Sequence, residues 1–156
     1  MAGTAVNNST SRIWMDTTLV TDGDFSTGTG SDADDLGYMA EDGSEVGNPE
    51  VITEPIFIGD ASVGATYSAT IRVLGNAVHA SVASAFVANP PTIVYLYFPN
   101  ISLTRYSAVK CILSEGFVES ASSNPKRTSW TFKATAKGDA VSDFHNYYAA
   151  AIVVPG

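Results

Sequence analysis

The sequence predicts a mainly β domain, a β-sandwich or open barrel with one short helix and a long N-terminal arm and loop. Three observations lead there. Two segments, TYSATIRVL (66–74) and TSWTFKATAK (128–137), alternate apolar and polar residues, as strands do when one face lies on a core. A third, TIVYLYF (92–98), is an unbroken apolar run, the pattern of a buried strand. Turn-forming residues, Asn124-Pro125 and Gly138-Asp139 among them, bound these segments. The chain has 156 residues, 45% of them hydrophobic, enough for a single domain with a real core.

Taken in order, residues 1–11 (MAGTAVNNSTS) are small, polar and without period, and read as an arm. They lack the basic-then-apolar order of a signal peptide. Residues 12–21 (RIWMDTTLVT) read as a strand with Ile13, Met15, Thr17 and Leu19 on one face. Residues 22–50 are rich in Gly, Asp and Ser, with few large anchors (Phe25, Leu36, Tyr38, Met39). They are expected to lie outside the core as a long acidic loop. The chain therefore divides into an arm and loop with one strand (1–50) and a β-rich core domain (51–156).

Val51–Ile58 is a short apolar strand that Pro55 pushes to an edge or a bulge. In 66–74, Tyr67, Ala69, Ile71 and Val73 face inward. Residues 76–89 fit a helix through Val78, Val82 and Phe86, stopped by Pro90-Pro91. Residues 92–98 form a strand closed by Pro99, and 101–105 a short strand or turn. Residues 109–120 form a strand interrupted at Gly116 by a bulge or kink. Residues 124–127 are a turn. In 128–137, Trp130, Phe132, Ala134 and Ala136 face inward; Ser129, Thr131, Lys133, Thr135 and Lys137 face outward. Residues 141–148 fit a helix or a strand, and 149–154 a terminal strand.

Charge is unevenly distributed. Residues 1–60 hold twelve acids and one base, Arg12; residues 61–156 hold four acids and seven bases. The asymmetry suggests two alternatives: an acidic part that meets a mildly basic surface, its own or a neighbour's, or a solvated acidic loop that keeps the protein soluble. A net charge of −8 disfavours phosphate binding by counterion release, and with it sequence-specific nucleic-acid binding. No apolar run approaches the ~18–20 residues of a membrane span.

No chemical motif survives scrutiny. Acids at Asp24, Asp32 and Asp35 occupy positions 1, 9 and 12 of a possible calcium loop, but Ser26, Gly28 and Thr29 stand where ligands and the turn glycine belong. Gly59–Thr66 has phosphate-loop glycine spacing, with Ala65 in place of the lysine. Gly28 and Gly30 lack the third glycine of a dinucleotide fingerprint. His79 and His145 are the two histidines, and no G-x-S-x-G elbow accompanies them. Cys111 sits among apolar neighbours and is expected to be buried and inert. Trp14, Trp130 and the tyrosines fall on core faces more than on a sugar-stacking platform. Asn7, Asn8 and Asn100 stand in glycosylation sequons. The expectation is a non-enzyme without cofactor or metal.

A β-rich, edge-bearing chain low in charge fits a subunit whose edges are covered by neighbours. Residues 116–139, GFVESASSNPKRTSWTFKATAKGD, resemble a hairpin of tail-tube and related virion proteins of tailed phages. There a Ser-rich strand, a turn and a W-x-F-type alternating strand belong to a small β-sandwich. The resemblance implies hexameric rings stacked into a tube, contacts with other virion proteins, no cofactor, and an acidic lumen through which DNA slides. The long acidic 22–50 segment departs from that pattern and leaves a capsid decoration protein as an alternative. A carbohydrate-binding β-sandwich and a hydrolase with an unrecognised site are the other classes. The charged residues expected at the assembly interface are Asp32, Asp34, Asp35, Lys126, Arg127 and Lys133.

Overall fold

The computed structural model describes residues 12–40, 44–46, 49–74, 80–88, 90–99, 105–123, 126–150 and 153. Among them nine strands join in one sheet: β1 (Arg12–Asp16), β2 (Asp34–Met39), β3 (Glu45–Val46), β4 (Glu50–Ile56), β5 (Gly59–Leu74), β6 (Val94–Pro99), β7 (Tyr106–Ser123), β8 (Lys126–Gly138) and β9 (His145–Tyr148). One α-helix, α1 (Ala80–Val87), accompanies them. The protein is mainly β with one short helix, as its alternating segments predict.

Every strand pairing is antiparallel. The order is β2-β1-β6-β7-β8-β5, and β5 pairs back onto β2 through Tyr38↔Leu74 and Met39↔Val73. Six strands thus form a closed circuit. The circuit closes at Gly37, where φ is +115° and an added Cβ would lie 3.0 Å from the Leu74 carbonyl oxygen. The β1–β2 register shifts between Ile13 and Trp14, opposite this point. Glycine lets β2 turn there and serve two neighbours.

Two buried clusters explain the sequence texture. The main core takes Ile13 and Met15 of β1, Tyr67, Ala69, Ile71 and Val73 of β5, Val94 and Leu96 of β6, and Trp130, Phe132, Ala134 and Ala136 of β8. A second cluster joins Trp14, Val20, Phe25, Tyr97, Tyr106 and Ala108. Strands β1, β6 and β7 contribute to both clusters, so both their faces are covered. That is why 94–98 reads as a continuous apolar run; the strand begins at Val94 rather than Thr92 and includes Pro99, and Ile93 before it is exposed. Residues 18–25 lie over the second cluster and are pinned by buried phenols. Tyr106 Oη donates to the Val20 carbonyl; the Val20 N–H donates to Tyr97 Oη (2.8 Å), which donates to the Thr18 carbonyl (3.1 Å).

Several expectations need correction. Strand β1 ends at Asp16, and Leu19 is exposed; the chain leaves the sheet so that Val20 can reach the second cluster. Residues 22–50 do not stay outside the core. Phe25 and Leu36 are buried, a 3-10 turn spans Gly28–Asp32, and β2 is a full member of the circuit. Strands on both sides of residue 50 belong to the same sheet. Ser129 is buried rather than outward in solvent, because Arg72 Nε donates to its Oγ (3.1 Å). Lys126 and Arg127 belong to β8 rather than to a turn.

Other details agree. Pro55 lies in β4, which among the described residues pairs with β5 alone. Bulges flank Gly116, with register shifts at Leu113/Glu115 and Glu115/Val118. The α1 helix places Val82 and Ala85 in the core, and the chain meets Pro90-Pro91 just beyond it. Residues 141–148 resolve into a 3-10 turn and β9. The terminal strand expected over 149–154 is not seen among the described residues: 149 and 150 are not in a strand, and Val153 makes an isolated bridge to Asp24. Residues 1–11, 101–104, Val78 and the Asn124-Pro125 turn lie outside the described residues.

Candidate assembly surfaces

Two hairpins overrun the closed circuit at opposite ends. Strand β5 is 16 residues long, but only Ala65–Leu74 pairs with β8. Its first part, from Gly59, pairs among the described residues with β4 alone. At ~3.4 Å per residue, this ribbon projects roughly 20 Å past the Ala65↔Gly138 pair. The β7–β8 hairpin overruns the other end, with Ser123↔Lys126 as its last pair, beyond the Leu74↔Ser129 pair.

The β4–β5 hairpin is apolar where a solvated hairpin would be polar. Ile56 pairs with Gly59, so Phe57 and Ile58 form a two-residue tip. Turns of that length select residues such as Asn-Gly. Here Phe57 is 103% exposed and Ile58 87%. Val51, Ile52, Ile56 and Val63 are exposed along the ribbon behind them. Its charges are Glu50, Glu54 and Asp60, with no base between residues 49 and 66.

At the base of this hairpin β7 and β8 part. They are in register at Ile112↔Thr135. Two residues nearer this end, where Lys110 would face Lys137, the Lys110 N–H instead donates to the Phe144 carbonyl (2.7 Å), and β9 takes over the β7 edge. Like charges directly opposite disfavour pairing at that point. The gap opens a cleft of about 630 Å³ lined by Ile93, Lys110, Ile112, Ala136, Lys137 and Phe144 among others. Among the described residues, Lys110 and Lys137 make no ion pair. Asp143, also at the cleft, has its Oδ2 occupied by the N–H groups of Asp139 and Ala140 (2.8 and 2.9 Å).

The six charged residues expected at the interface are distributed over the molecule rather than gathered. Asp32 ends the 3-10 turn just before β2, and Asp34 begins β2, where it pairs with Met15. Met15 pairs with Leu96, and Leu96 with Val109. Lys126 and Arg127 pair with Ser123 and Ser122, fourteen residues further along β7 from Val109 in the case of Ser123. These two acids and these two bases therefore lie toward opposite ends, while Lys110 and Lys137 share the end of the acids. Lys133 lies between them on β8, opposite Thr70 and Glu115. Asp35 is already committed within the chain: Arg12 Nη1 donates to its Oδ2 at 2.7 Å, and the guanidinium lies 4.3 Å from the Tyr38 ring centre.

The remaining candidates find structural surroundings. The Asp24 carboxylate accepts from the side chains and N–H groups of Ser26 and Thr27, which hold its pKa down to about 2. Burial pushes the Cys111 thiol up to about 12. The His145 ring is stacked on Tyr67 at 6.2 Å and meets Tyr147 edge-on at 4.8 Å, and burial lowers its pKa. Trp14, Trp130, Tyr67, Tyr97 and Tyr106 are all buried, so they offer no exposed stacking face. His79, Asn7, Asn8 and Asn100 lie outside the described residues.

Sequence reasoning missed the Phe57-Ile58 tip. The available signal was an apolar dipeptide immediately before Gly59, at a place where the chain must reverse. No protein-family model matches the chain, and no curated protein matches its sequence.

Proposed function

We propose that this chain is a structural subunit of a viral particle, a tail-tube-like protein that self-assembles into hexameric rings stacked into a tube for DNA passage. The observation that carries this reading is the β4–β5 hairpin, whose apolar tip and flanks are left in water by the single chain. A two-stranded ribbon standing alone is marginally stable, and exposed apolar surface concentrated on one projection marks an interaction site. A neighbour that covers the ribbon removes both costs.

The charge layout supports repetition of the same contact. Asp32 and Asp34 at one end, beside Lys110 and Lys137, and Lys126 and Arg127 at the other, bring acid to base when copies stack head to tail. Head-to-tail contacts generate rings and filaments rather than closed pairs. The net charge of −8 repels DNA phosphates, which suits a lumen that must not retain its cargo. In this reading the protein works by shape and contact, with other virion proteins as its further partners, and needs neither cofactor nor catalysis.

Negative-stain microscopy of the purified protein tests the reading. Six-fold rings or stacked tubes are the expected result. Monomers at every concentration would overturn it. Compact trimers would point to the capsid decoration alternative.

A further inference from the structure

We infer that the Phe57-Ile58 tip of one copy seats in the apolar cleft between Lys110 and Lys137 of a second copy. The inference rests on the self-assembly reading above and names the two surfaces that meet.

The surfaces match in three respects. The tip offers two exposed apolar side chains, and the cleft offers apolar walls from Ile93, Ile112, Ala136 and Phe144. A volume of about 630 Å³ falls within the ~300–1,000 Å³ of sites that enclose compact apolar groups. The charges are opposite: Glu54 and Asp60 flank the tip, with no base on the ribbon, while Lys110 and Lys137 flank the cleft without an ion-pair partner among the described residues. Seated together, the tip fills the cleft's centre, and Glu54 and Asp60 meet the two lysines at its rim, where the lysines outnumber the one cleft acid, Asp143, whose Oδ2 is taken by backbone N–H groups.

Side chains rather than backbone carry the contact. The free edge of β4 contains Pro55, which has no N–H to donate and blunts strand addition along that edge. The tip cannot serve its own cleft in this conformation, because the ribbon projects past the sheet and leaves Phe57 fully exposed. The partner is therefore another molecule, and a second copy supplies the complementary chemistry.

The test is a disulfide placed across the proposed contact. In a Cys111→Ala background, Phe57→Cys and Ile93→Cys are combined in one chain, oxidised at the assembly concentration, and mapped by peptide mass. A 57–93 bond between chains is expected, giving a covalent ladder. Bonds of the 57–57 type, a bond within one chain, or no bond although rings still form would each overturn the inference and leave the ring reading standing. A 57–93 bond that stops at dimers would support the docking and overturn the rings. No association at any concentration would overturn both. A charge exchange provides the second test. Lys110→Glu with Lys137→Glu should raise the concentration needed for assembly roughly tenfold or more, and adding Glu54→Lys with Asp60→Lys should restore it. Failure of the exchange to restore assembly in folded protein would contradict the pairing.

Discussion

Phe25→Ala and Phe57→Ala remove the same side chain from opposite environments and should give opposite results. Phe25 is 1% exposed. Its ring stacks on Trp14 at 5.0 Å and meets Tyr97 and Tyr106 edge-on at 5.1 and 6.5 Å. Emptying a buried phenylalanine site costs ~3–5 kcal/mol, cavity included. Aromatic pairs contribute ~0.5–1.5 kcal/mol beyond area burial, so three neighbours place this site at the upper end, at about 4–5 kcal/mol. A chain of 156 residues is stable by roughly 8–23 kcal/mol at ~0.05–0.15 per residue, so the loss is a large share. At ~2–4 °C per kcal/mol for a domain of this size, Tm should fall by roughly 8–20 °C. Phe57→Ala should leave monomer stability within ~0.5 kcal/mol of the parent and weaken assembly. Urea unfolding followed by circular dichroism checks both, at a concentration below assembly so that association does not add to apparent stability. A Phe25→Ala protein within ~1 kcal/mol of the parent would refute the placement of Phe25 in the second cluster. A Phe57→Ala protein that unfolds would refute the independence of the tip from the fold.

Three further outcomes follow from buried polar groups. Tyr106→Phe strips the donor from the Val20 carbonyl and should cost ~1–3 kcal/mol, the penalty of an unsatisfied buried acceptor, in the same urea assay; an unchanged midpoint would contradict the pinning of residues 18–20. Cys111, held neutral by burial with its pKa pushed up to about 12, should react with a thiol reagent at neutral pH only as fast as the protein unfolds, and fast labelling of native protein would contradict its burial. Asp16 has its pKa raised above 3.8, by burial first, with Asp32 and Asp34 adding to the rise, and its Oδ2 has no hydrogen-bond partner among the described residues. A raised acid pKa makes a contribution that is complete below the unfolded value and is lost as pH rises through the folded one. Asp16→Asn should therefore stabilise the protein at neutral pH and make little difference below pH 3.8; a destabilised variant at neutral pH would reverse that sign.

The sequence is legible where a strand has one covered face or two. Strand β8 keeps Trp130, Phe132, Ala134 and Ala136 buried along a strict period, and β5 does the same from Tyr67 to Val73. Gly116 marks a strand interruption because an extra residue there is free to bulge. Phe25 and Leu36 escape notice because each is a single anchor within polar sequence, and a lone side chain has no period. The closure of the circuit depends on Gly37 turning at positive φ against Leu74, which a glycine among many in residues 22–50 does not announce. The hairpin tip is hidden for a different reason. Val51, Ile52, Ile56, Phe57 and Ile58 look like core residues by composition, yet a single chain leaves them exposed. An apolar interface and an apolar core have the same sequence signature; only the pairing of Ile56 with Gly59 separates them. The Lys110–Lys137 cleft is likewise invisible in sequence, since it arises where β9 replaces β8 along β7.

The central claim is that a single copy is incomplete and that its projecting hairpin is finished by another copy. Sedimentation of the unmodified protein across a wide concentration range, with the Phe57→Asp variant run alongside, tests this most directly. The account predicts that the 16.3 kDa chain associates into discrete multiples as concentration rises, and that Phe57→Asp remains a folded monomer under the same conditions. A parent protein that sediments as a monomer throughout, or a Phe57→Asp variant that assembles as the parent does, would contradict it.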